Sequence, residues 1–332
     1  MVKPGYGQRV YPSLPGKACP HSLKIMKCFH ENRKGAHHSI FVMTVIVLLS
    51  GLMLCGCNNK YEDLQRAGIA VPLAESRIID LSVKSKILGK EMRCKVYLPK
   101  GYGNGQKYPV WYGLHGQTYN ESMWISEVGI DKVADEMIEN GEIEPIIMVF
   151  PQTVDVFPKE IIEDLEEDGK IDERRWDQFM WKELIPHIDS RYDTVAKAEG
   201  RFIGGFSMGG SVALRIAFHH PELFSKVAGY TASVSVNDFS GKKLEKWLYP
   251  NLDPEEITDP ARFAGEKGLV NIKVYLEAGN VHDPFLSVLQ SLNDALLERG
   301  VSSEFVIYEG GHSLDNAKRC AREYLRFYAA KD

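Results

Sequence analysis

Short apolar runs alternate with longer amphipathic stretches along most of the chain. Eight runs rich in β-branched and aromatic residues predict strands, and five stretches with apolar positions at helical spacing predict helices. The predicted strands are residues 78–83, 92–98, 110–114, 146–150, 201–206, 226–230, 272–276 and 304–308. The predicted helices are residues 128–140, 177–188, 208–218, 284–299 and 313–327.

The order of these elements indicates the fold class. Helices separate the later strands, which is typical of a mainly parallel sheet covered by helices on both faces. The first two or three strands have no helix between them, so we expect them to form an antiparallel edge. The sequence therefore predicts an α/β fold with about eight strands, forming one domain over residues 77–332.

An uncharged apolar run at residues 40–54 follows Arg33 and Lys34, which is the layout of a signal peptide. The run is shorter than the roughly 20 residues that cross a bilayer, so an uncleaved anchor is the weaker interpretation. It ends in Leu54-Cys55-Gly56-Cys57, which resembles a bacterial lipobox. This resemblance implies cleavage before Cys57, diacylglycerol on its thiol and acylation of the new amino terminus, a two-signal anchor that holds a protein stably on a membrane.

These features divide the amino-terminal part of the chain into three segments. Residues 1–25 contain four prolines and no periodic pattern, and we interpret them as an upstream extension. Residues 26–57 form the predicted lipoprotein signal peptide, and the polar residues 58–76 form a predicted tether. We therefore expect a protein of the bacterial cell envelope, held to a membrane by its lipid and facing the periplasm or the cell surface.

Composition narrows the classes of partner. With 44% hydrophobic and 26% charged residues, the chain can bury a sizeable core. A formal charge of -5 without a long basic run gives no electrostatic footprint for nucleic acid, so that partner class is excluded. Beyond the signal peptide, Cys94 and Cys320 accompany Cys57, and one such pair is no disulfide framework.

A candidate nucleophile lies where the predicted strand 201–206 runs directly into the helix 208–218. The junction reads Gly205-x-Ser207-x-Gly209, the nucleophile elbow of α/β-hydrolases, in which a tight turn strains the serine and exposes its Oγ. The start of a helix also favours the negative charge that develops in acyl transfer. A glycine-rich turn with a capping serine is the structural alternative, but strand, turn and helix together favour Ser207 as a nucleophile.

The base and the acid must come from elsewhere, because a serine hydroxyl is a poor nucleophile until a base removes its proton. In α/β-hydrolases the histidine follows the last strand and the acid follows the strand before it. His312, in the loop after residues 304–308, fits this position, and Asp283 follows residues 272–276; Glu277 is the runner-up for the acid. The competing histidines lie in or beside helices and are weaker candidates: His187, His219 and His220.

The candidate oxyanion hole combines two backbone N–H groups. One belongs to Met208, directly after the candidate nucleophile. The other belongs to Gln117 in Leu114-His115-Gly116-Gln117, which follows the strand 110–114, where α/β-hydrolases place their second donor. A plain turn at the end of a strand would have the same sequence.

Several motifs in order make the chain resemble the esterase D-like family, which includes S-formylglutathione hydrolases, feruloyl and acetylxylan esterases, enterochelin esterases and mycolyltransferases. The likeness extends from about Val83 to the carboxyl end. The motifs that carry it are Val96-Tyr97-Leu98-Pro99-Lys100-Gly101-Tyr102, Tyr108-Pro109-Val110, Leu114-His115-Gly116, Ile185-Pro186-His187-Ile188-Asp189, Gly205-Phe206-Ser207-Met208-Gly209-Gly210, His220-Pro221-Glu222-Leu223-Phe224 and Gly310-Gly311-His312. The resemblance implies an α/β-hydrolase fold and ester chemistry.

Two departures limit what the resemblance implies about the substrate. Many carbohydrate esterases of the family carry tryptophan shortly after the histidine, where this chain has Ser313-Leu314-Asp315-Asn316. Formylglutathione hydrolases carry a cysteine-bearing segment in place of Leu114-His115-Gly116, which disfavours that cytosolic activity here.

No metal or cofactor is implied. The run from Asp164 to Asp172 imitates the start of a calcium loop, but Arg175 occupies the position that needs a bidentate glutamate. We therefore interpret residues 159–175 as a solvated acidic insertion. No cluster of histidine and cysteine has zinc spacing, and no glycine-rich phosphate loop is present in the sequence.

The sequence thus predicts a serine carboxylic ester hydrolase that works through an acyl-enzyme, with acyl groups on glycans or other extracellular compounds as candidate substrates. An acyltransferase on the same fold remains an alternative, since acceptor access and water exclusion decide between the two. A ligand-binding lipoprotein without catalysis is the other alternative, because a fold does not imply a function.

Overall fold

The structure of the protein is a computed structural model, and it describes residues 72–153, 175–234 and 268–331. Their eight strands form one sheet in the order β1-β2-β4-β3-β5-β6-β7-β8. The strands are β1 (Arg77–Lys84), β2 (Glu91–Leu98), β3 (Val110–Leu114), β4 (Ile147–Pro151), β5 (Arg201–Phe206), β6 (Lys226–Tyr230), β7 (Lys273–Gly279) and β8 (Ser302–Tyr308). The predicted α/β fold is confirmed.

Six α-helices accompany these strands in the described ranges: α1 (Ile130–Glu139), α2 (Arg175–Phe179), α3 (Ile185–Arg191), α4 (Met208–His219), α5 (Leu286–Glu298) and α6 (Leu314–Ala329). A π-helical turn, Trp124–Val128, precedes α1, and a second one, Met180–Leu184, joins α2 to α3. None of the helices that the structure describes is long and apolar enough to cross a membrane.

The sheet is antiparallel at one edge and parallel elsewhere. β1 pairs antiparallel with β2, and β2 pairs antiparallel with β4. From β4 through β3, β5, β6 and β7 to β8, all neighbours run parallel. The predicted antiparallel edge is therefore correct, and the carboxyl ends of six strands meet at one edge of the sheet, where such folds bind ligands.

Helices cover both faces of the central strands, which explains why β3, β4 and β5 are buried along their whole length. Consecutive strand residues point to opposite faces. A Cβ on Gly204 would overlap the hydroxyl of Tyr328 in α6, whereas a Cβ on Gly205 would overlap the backbone of Gly209 in α4. The two helices thus lie on opposite sides of β5 and fix the position of its carboxyl end.

An aromatic layer holds α6 against the sheet. Tyr230 of β6 stacks on Tyr324 of α6, and its hydroxyl donates a hydrogen bond to the hydroxyl of Tyr328 at 2.9 Å. Trp111 of β3 stacks on the same Tyr328, with ring centroids 5.0 Å apart. Because each ring buries a large apolar area, this layer anchors the last helix and, with it, the loop that follows β8.

Several boundaries differ from the sequence-based expectation, among them the end of β7, the start of the folded region and the predicted helix 177–188, which is divided into α2, a π-helical turn and α3. β7 extends to Gly279, because Ala278 and Gly279 continue the parallel pairing with Ile307 and Tyr308 of β8. The folded region also begins before residue 77: Leu73 is buried, and its backbone exchanges hydrogen bonds with Tyr102 and Gly101 at 2.9 and 2.8 Å. The predicted extension, signal peptide, most of the tether and nearly all of the acidic insertion lie outside the described residues.

Candidate active site

Ser207 occupies a strained turn directly between β5 and α4. Its backbone has φ 54 and ψ -119 degrees, a combination that L-residues rarely adopt. Its N–H donates to the carbonyl of Tyr230 at 2.9 Å, and its carbonyl accepts from Gly210 and Ser211 at the start of α4. Because Gly205 and Gly209 approach each other without side chains, the turn can be this tight.

His312 lies in the loop after β8, between two aromatic rings. Its ring stacks on Phe206, the residue before Ser207, with centroids 5.1 Å apart, and meets Phe285 edge-on at 5.3 Å. Asn316 of α6 donates a hydrogen bond to the carbonyl of Gly311. The aromatic contacts and this hydrogen bond hold the imidazole beside the turn that carries Ser207.

Asp283, in the loop after β7, is nearly buried and accepts three hydrogen bonds. Gly279 N–H donates to Oδ2 at 2.9 Å, and Phe285 N–H donates to Oδ1 at 3.0 Å. The third donor is the hydroxyl of Thr231, which lies 2.7 Å from Oδ2. These donors satisfy the carboxylate in its ionised form.

Thr231 connects the candidate acid to the candidate base. Besides its bond to Asp283, its Oγ1 lies 2.6 Å from Nδ1 of His312. Thr231 follows β6 directly, and the sequence analysis did not identify it. One signal was available in the sequence: Thr231 lies at the carboxyl end of β6, and β6 lies between β5, which precedes Ser207, and β7, which precedes Asp283.

Glu277, the runner-up for the acid, points elsewhere. It lies in β7, is 1% exposed, and accepts hydrogen bonds from the hydroxyls of Tyr275, at 3.2 Å, and Tyr324. Burial raises the pKa of its carboxyl to about 8. The structure thus brings Asp283, and not Glu277, to His312.

The candidate oxyanion donors lie on two backbone segments that pack together. Met208 begins α4, and Gln117 is exposed in the loop after β3. A Cβ on Gly209 would lie 2.6 Å from the carbonyl oxygens of both Leu114 and His115, so only glycine lets α4 approach this loop so closely. This approach brings the start of α4 against the segment that leads to Gln117.

His115 holds the loop after β3 in place, a role that the sequence analysis did not identify. It is buried, and its Nε2 accepts hydrogen bonds from the backbone N–H and the hydroxyl of Thr153, at 2.9 and 2.7 Å. Its Nδ1–H then donates to the carbonyl of Gly116 at 2.8 Å, since a neutral imidazole carries one donor and one acceptor. Burial lowers the pKa of His115, which favours this neutral form.

Backbone strain concentrates at these residues. In the described ranges, four residues other than glycine have positive φ: Thr118 (67°), Ser207 (54°), Thr231 (41°) and His282 (53°). Ser207 is the candidate nucleophile, and Thr231 contacts both Asp283 and His312. Thr118 directly follows Gln117, and His282 directly precedes Asp283. Strained backbone costs free energy and clusters at functional sites, so this distribution independently marks the same edge of the sheet.

The competing histidines lie away from this edge. His219 is the last residue of α4 and His220 follows it, so both lie at the end of that helix remote from Ser207. His187 lies on α3. The ring of His220 packs on Trp181 with centroids 4.7 Å apart. The structure therefore brings together Ser207 and His312 and leaves these three histidines elsewhere.

Ser207 Oγ makes no hydrogen bond within the residues that the structure describes. The arrangement places a hydroxyl and an imidazole side by side at one edge of the sheet, with the carboxylate of Asp283 linked to the imidazole through Thr231. Such a set of groups can attack an ester carbonyl with Ser207 Oγ while the imidazole takes its proton.

Activity should rise with pH, and the midpoint of this rise should lie below the ordinary pKa of histidine. A general base must be neutral, so kcat/KM increases as His312 loses its proton. Burial lowers the pKa of His312 from its ordinary value, and the charge of Asp283 only partly opposes this shift. We therefore expect a rising limb centred below the ordinary histidine pKa when kcat/KM of the full chain is measured against pH. A limb centred above that value would mean that the carboxylate outweighs burial.

Comparison with known proteins connects this geometry to a family. Residues 85–314 match the model of the family described as "Putative esterase". An endo-1,4-beta-xylanase/feruloyl esterase from Xylanibacter ruminicola is 28% identical over 244 residues, which cover 71% of this chain and 29% of the relative. The chain thus spans less than a third of that relative's length.

Solved structures support the same fold. A ferulic acid esterase superposes with a TM-score of 0.61 at 23% identity, covering 76% of this chain and 98% of the other. The S-formylglutathione hydrolase of Staphylococcus aureus superposes with a TM-score of 0.57 at 16% identity, covering 78% and 98%. At these identities the likeness establishes the α/β-hydrolase fold alone. The family match over residues 85–314, which extends over well more than half of the chain, shows that the protein belongs to the esterase family.

Proposed function

We propose that the protein is a serine carboxylic ester hydrolase with Ser207 as nucleophile, His312 as general base and Asp283 as the acid that orients it. The observation that carries the proposal is the strained Ser207 between β5 and α4, with a hydrogen-bonded chain from His312 to Asp283 at the neighbouring strand ends. Membership of the esterase family supports it.

The reaction proceeds in two halves. Ser207 Oγ attacks the ester carbonyl while Nε2 of His312 takes its proton, and the tetrahedral oxyanion accepts hydrogen bonds from the N–H groups of Met208 and Gln117. His312 then returns the proton to the leaving alcohol, which gives an acyl-enzyme. Water, deprotonated by the same imidazole, then attacks the acyl-enzyme. The carboxylic acid product is released, and His312 returns the proton to Ser207 Oγ.

The substrates we propose are acyl esters on glycans or related extracellular compounds. A relative named as an endo-1,4-beta-xylanase/feruloyl esterase and a similar structure of a ferulic acid esterase support this class. Two exposed apolar side chains adjoin the site in sequence: Tyr119 is 40% exposed two residues after Gln117, and Val281 is 47% exposed two residues before Asp283. Such side chains can contact an acyl or aryl group.

Ester turnover tests the proposal. The full chain should release p-nitrophenol from p-nitrophenyl acetate, and a panel of acetylated, feruloylated and siderophore-type esters should rank the acyl groups. Adding an alcohol acceptor separates hydrolysis from acyl transfer, because a transferase would form the new ester at the expense of free acid. The absence of turnover on every ester would favour the ligand-binding alternative.

We further propose that Cys57 carries a lipid that holds the protein to a membrane. Cys57→Ser should release the protein or block its maturation, because no thiol remains to accept diacylglycerol. Cys55→Ser is the matched control and should remain membrane-bound. Fractionation measures the release, and mass spectrometry of the mature amino terminus identifies the modification; an unmodified Cys57 within an intact apolar segment would replace lipidation with an uncleaved anchor.

A further inference from the structure

We propose that Thr231 is a positioning residue that links Asp283 to His312 through its hydroxyl group, so that the acid acts on the base through a third side chain. This inference rests on the proposed esterase mechanism. The described part of the structure contains no direct hydrogen bond between the carboxylate of Asp283 and the imidazole; Thr231 Oγ1 lies 2.7 Å from Asp283 Oδ2 and 2.6 Å from His312 Nδ1.

The donors and acceptors that these side chains offer fix the direction of the two hydrogen bonds made by Thr231. An ionised carboxylate can only accept, so the single hydroxyl proton of Thr231 points to Asp283. The hydroxyl oxygen is then left to accept from Nδ1–H of His312. With the proton on Nδ1, the lone pair of Nε2 is free to take the proton of Ser207. Thr231 thereby selects the imidazole tautomer that a general base needs.

The backbone of Thr231 gives a second, independent observation. Its φ is 41°, and a positive φ is a true outlier for a β-branched residue. The residue is 1% exposed, and its N–H donates to the carbonyl of Glu277 at 2.9 Å. A glycine would adopt this conformation without steric cost. The strained threonine is explained by what its hydroxyl contacts.

The same short segment also supports the nucleophile. The carbonyl of Tyr230, just before Thr231, accepts from the N–H of Ser207, and Ser233 N–H donates to the carbonyl of Ser207 at 3.1 Å. One stretch of chain after β6 therefore contacts all three proposed triad members. This placement explains how the hydroxyl of Thr231 is held in register with both its partners.

Thr231→Val tests the proposal, since it removes the hydroxyl with little change in shape. We expect kcat to fall about 10- to 100-fold with KM nearly unchanged, because a buried Nδ1–H loses its acceptor. The rising limb of the pH profile should move to lower pH, because the imidazolium loses stabilisation. Thr231→Ser restores the hydroxyl and should stay within about threefold of wild type, and Thr231→Ala serves as a second hydroxyl-free variant.

A double-mutant cycle separates the link from a merely structural role. In an Asp283→Asn background, Thr231→Val should cost little more, because the two side chains act in series.

Thr194→Val is the matched control. Thr194 is also buried and donates to an aspartate, Asp189, at 2.6 Å, but it lies beside the start of β3, at the opposite edge of the sheet from the site. Thr194→Val should leave kcat unchanged.

Wild-type kcat and an unshifted pH limb in Thr231→Val would overturn the proposal. So would a Thr231→Ser variant as impaired as Thr231→Ala. Ser207→Ala, measured in the same assay, separates the two levels of inference: if it retains activity the proposed function is wrong, whereas if it is inactive and Thr231→Val is normal, only the link through Thr231 is wrong.

Discussion

Replacing Ser207 by alanine is expected to lower kcat by about 10⁴-fold or more, because the variant lacks the hydroxyl on which the proposed acyl-enzyme forms. The fold should be retained. Ser207 provides no side-chain cap to α4, and its Oγ has no hydrogen bond in the described residues, so little packing is lost. The measurement is kcat on an activated ester together with a thermal melt of the same preparation.

A second serine provides the control for this variant. Ser190, on α3, is exposed and donates a hydrogen bond to the carbonyl of His187 at 2.8 Å. Ser190→Ala should keep kcat within about twofold, since surface substitutions of this kind change stability by only about 0.5 kcal/mol. If Ser207→Ala stayed within about tenfold of wild type while folded, Ser207 would not be the nucleophile.

Asp283→Asn should cost about 10⁴-fold in kcat, by analogy with the serine-protease triad, in which loss of the carboxylate favours the wrong imidazole tautomer. The site adds a specific reason. Both carboxylate oxygens of Asp283 accept from backbone N–H groups, of Gly279 and Phe285. Whichever way an asparagine is oriented, its NH₂ faces one of these N–H donors. With the NH₂ in the place of Oδ2, it also donates to Thr231, whose hydroxyl then turns to Nδ1 of His312 and imposes the wrong tautomer, so Asp283→Asn should cost more than the removal of the hydroxyl in Thr231→Val.

Glu277→Gln is the matched variant for the acid. Burial raises the pKa of Glu277 to about 8, which favours the neutral carboxyl, and an amide of the same shape should replace it with little loss of kcat. Kinetic comparison of the two variants decides between the carboxyls. A large loss in Glu277→Gln with near-normal activity in Asp283→Asn would transfer the role of the acid to Glu277.

The architecture could be predicted because its signals are local. Apolar runs of strand length alternate with helical patterns, and the eight observed strands overlap the eight expected ones. The elbow at Ser207 is equally local, since strand, glycines and helix follow one another in sequence. The positions of His312 after β8 and of Asp283 after β7 followed from the chain order of α/β-hydrolases, applied to the predicted order of the strands.

Features that depend on contacts between distant segments were not predicted. Thr231 bridges residues 52 and 81 positions away, and nothing in its immediate neighbours marks that role. The contact of His115 with Thr153 spans 38 positions and escaped notice for the same reason. β7 is longer than expected because its pairing with β8, rather than its own hydrophobic pattern, determines where it ends. Lipidation of Cys57 stays a prediction, since it lies outside the described residues.

The most direct test of the central claim is to identify the side chain that a serine-directed fluorophosphonate modifies. The reagent needs an activated hydroxyl beside a general base, so it reports the nucleophile without requiring knowledge of the substrate. Peptide mapping by mass spectrometry should find the adduct on Ser207 in the wild-type protein and no adduct in folded Ser207→Ala. An adduct on a different serine, or undiminished labelling of Ser207→Ala, would contradict the account.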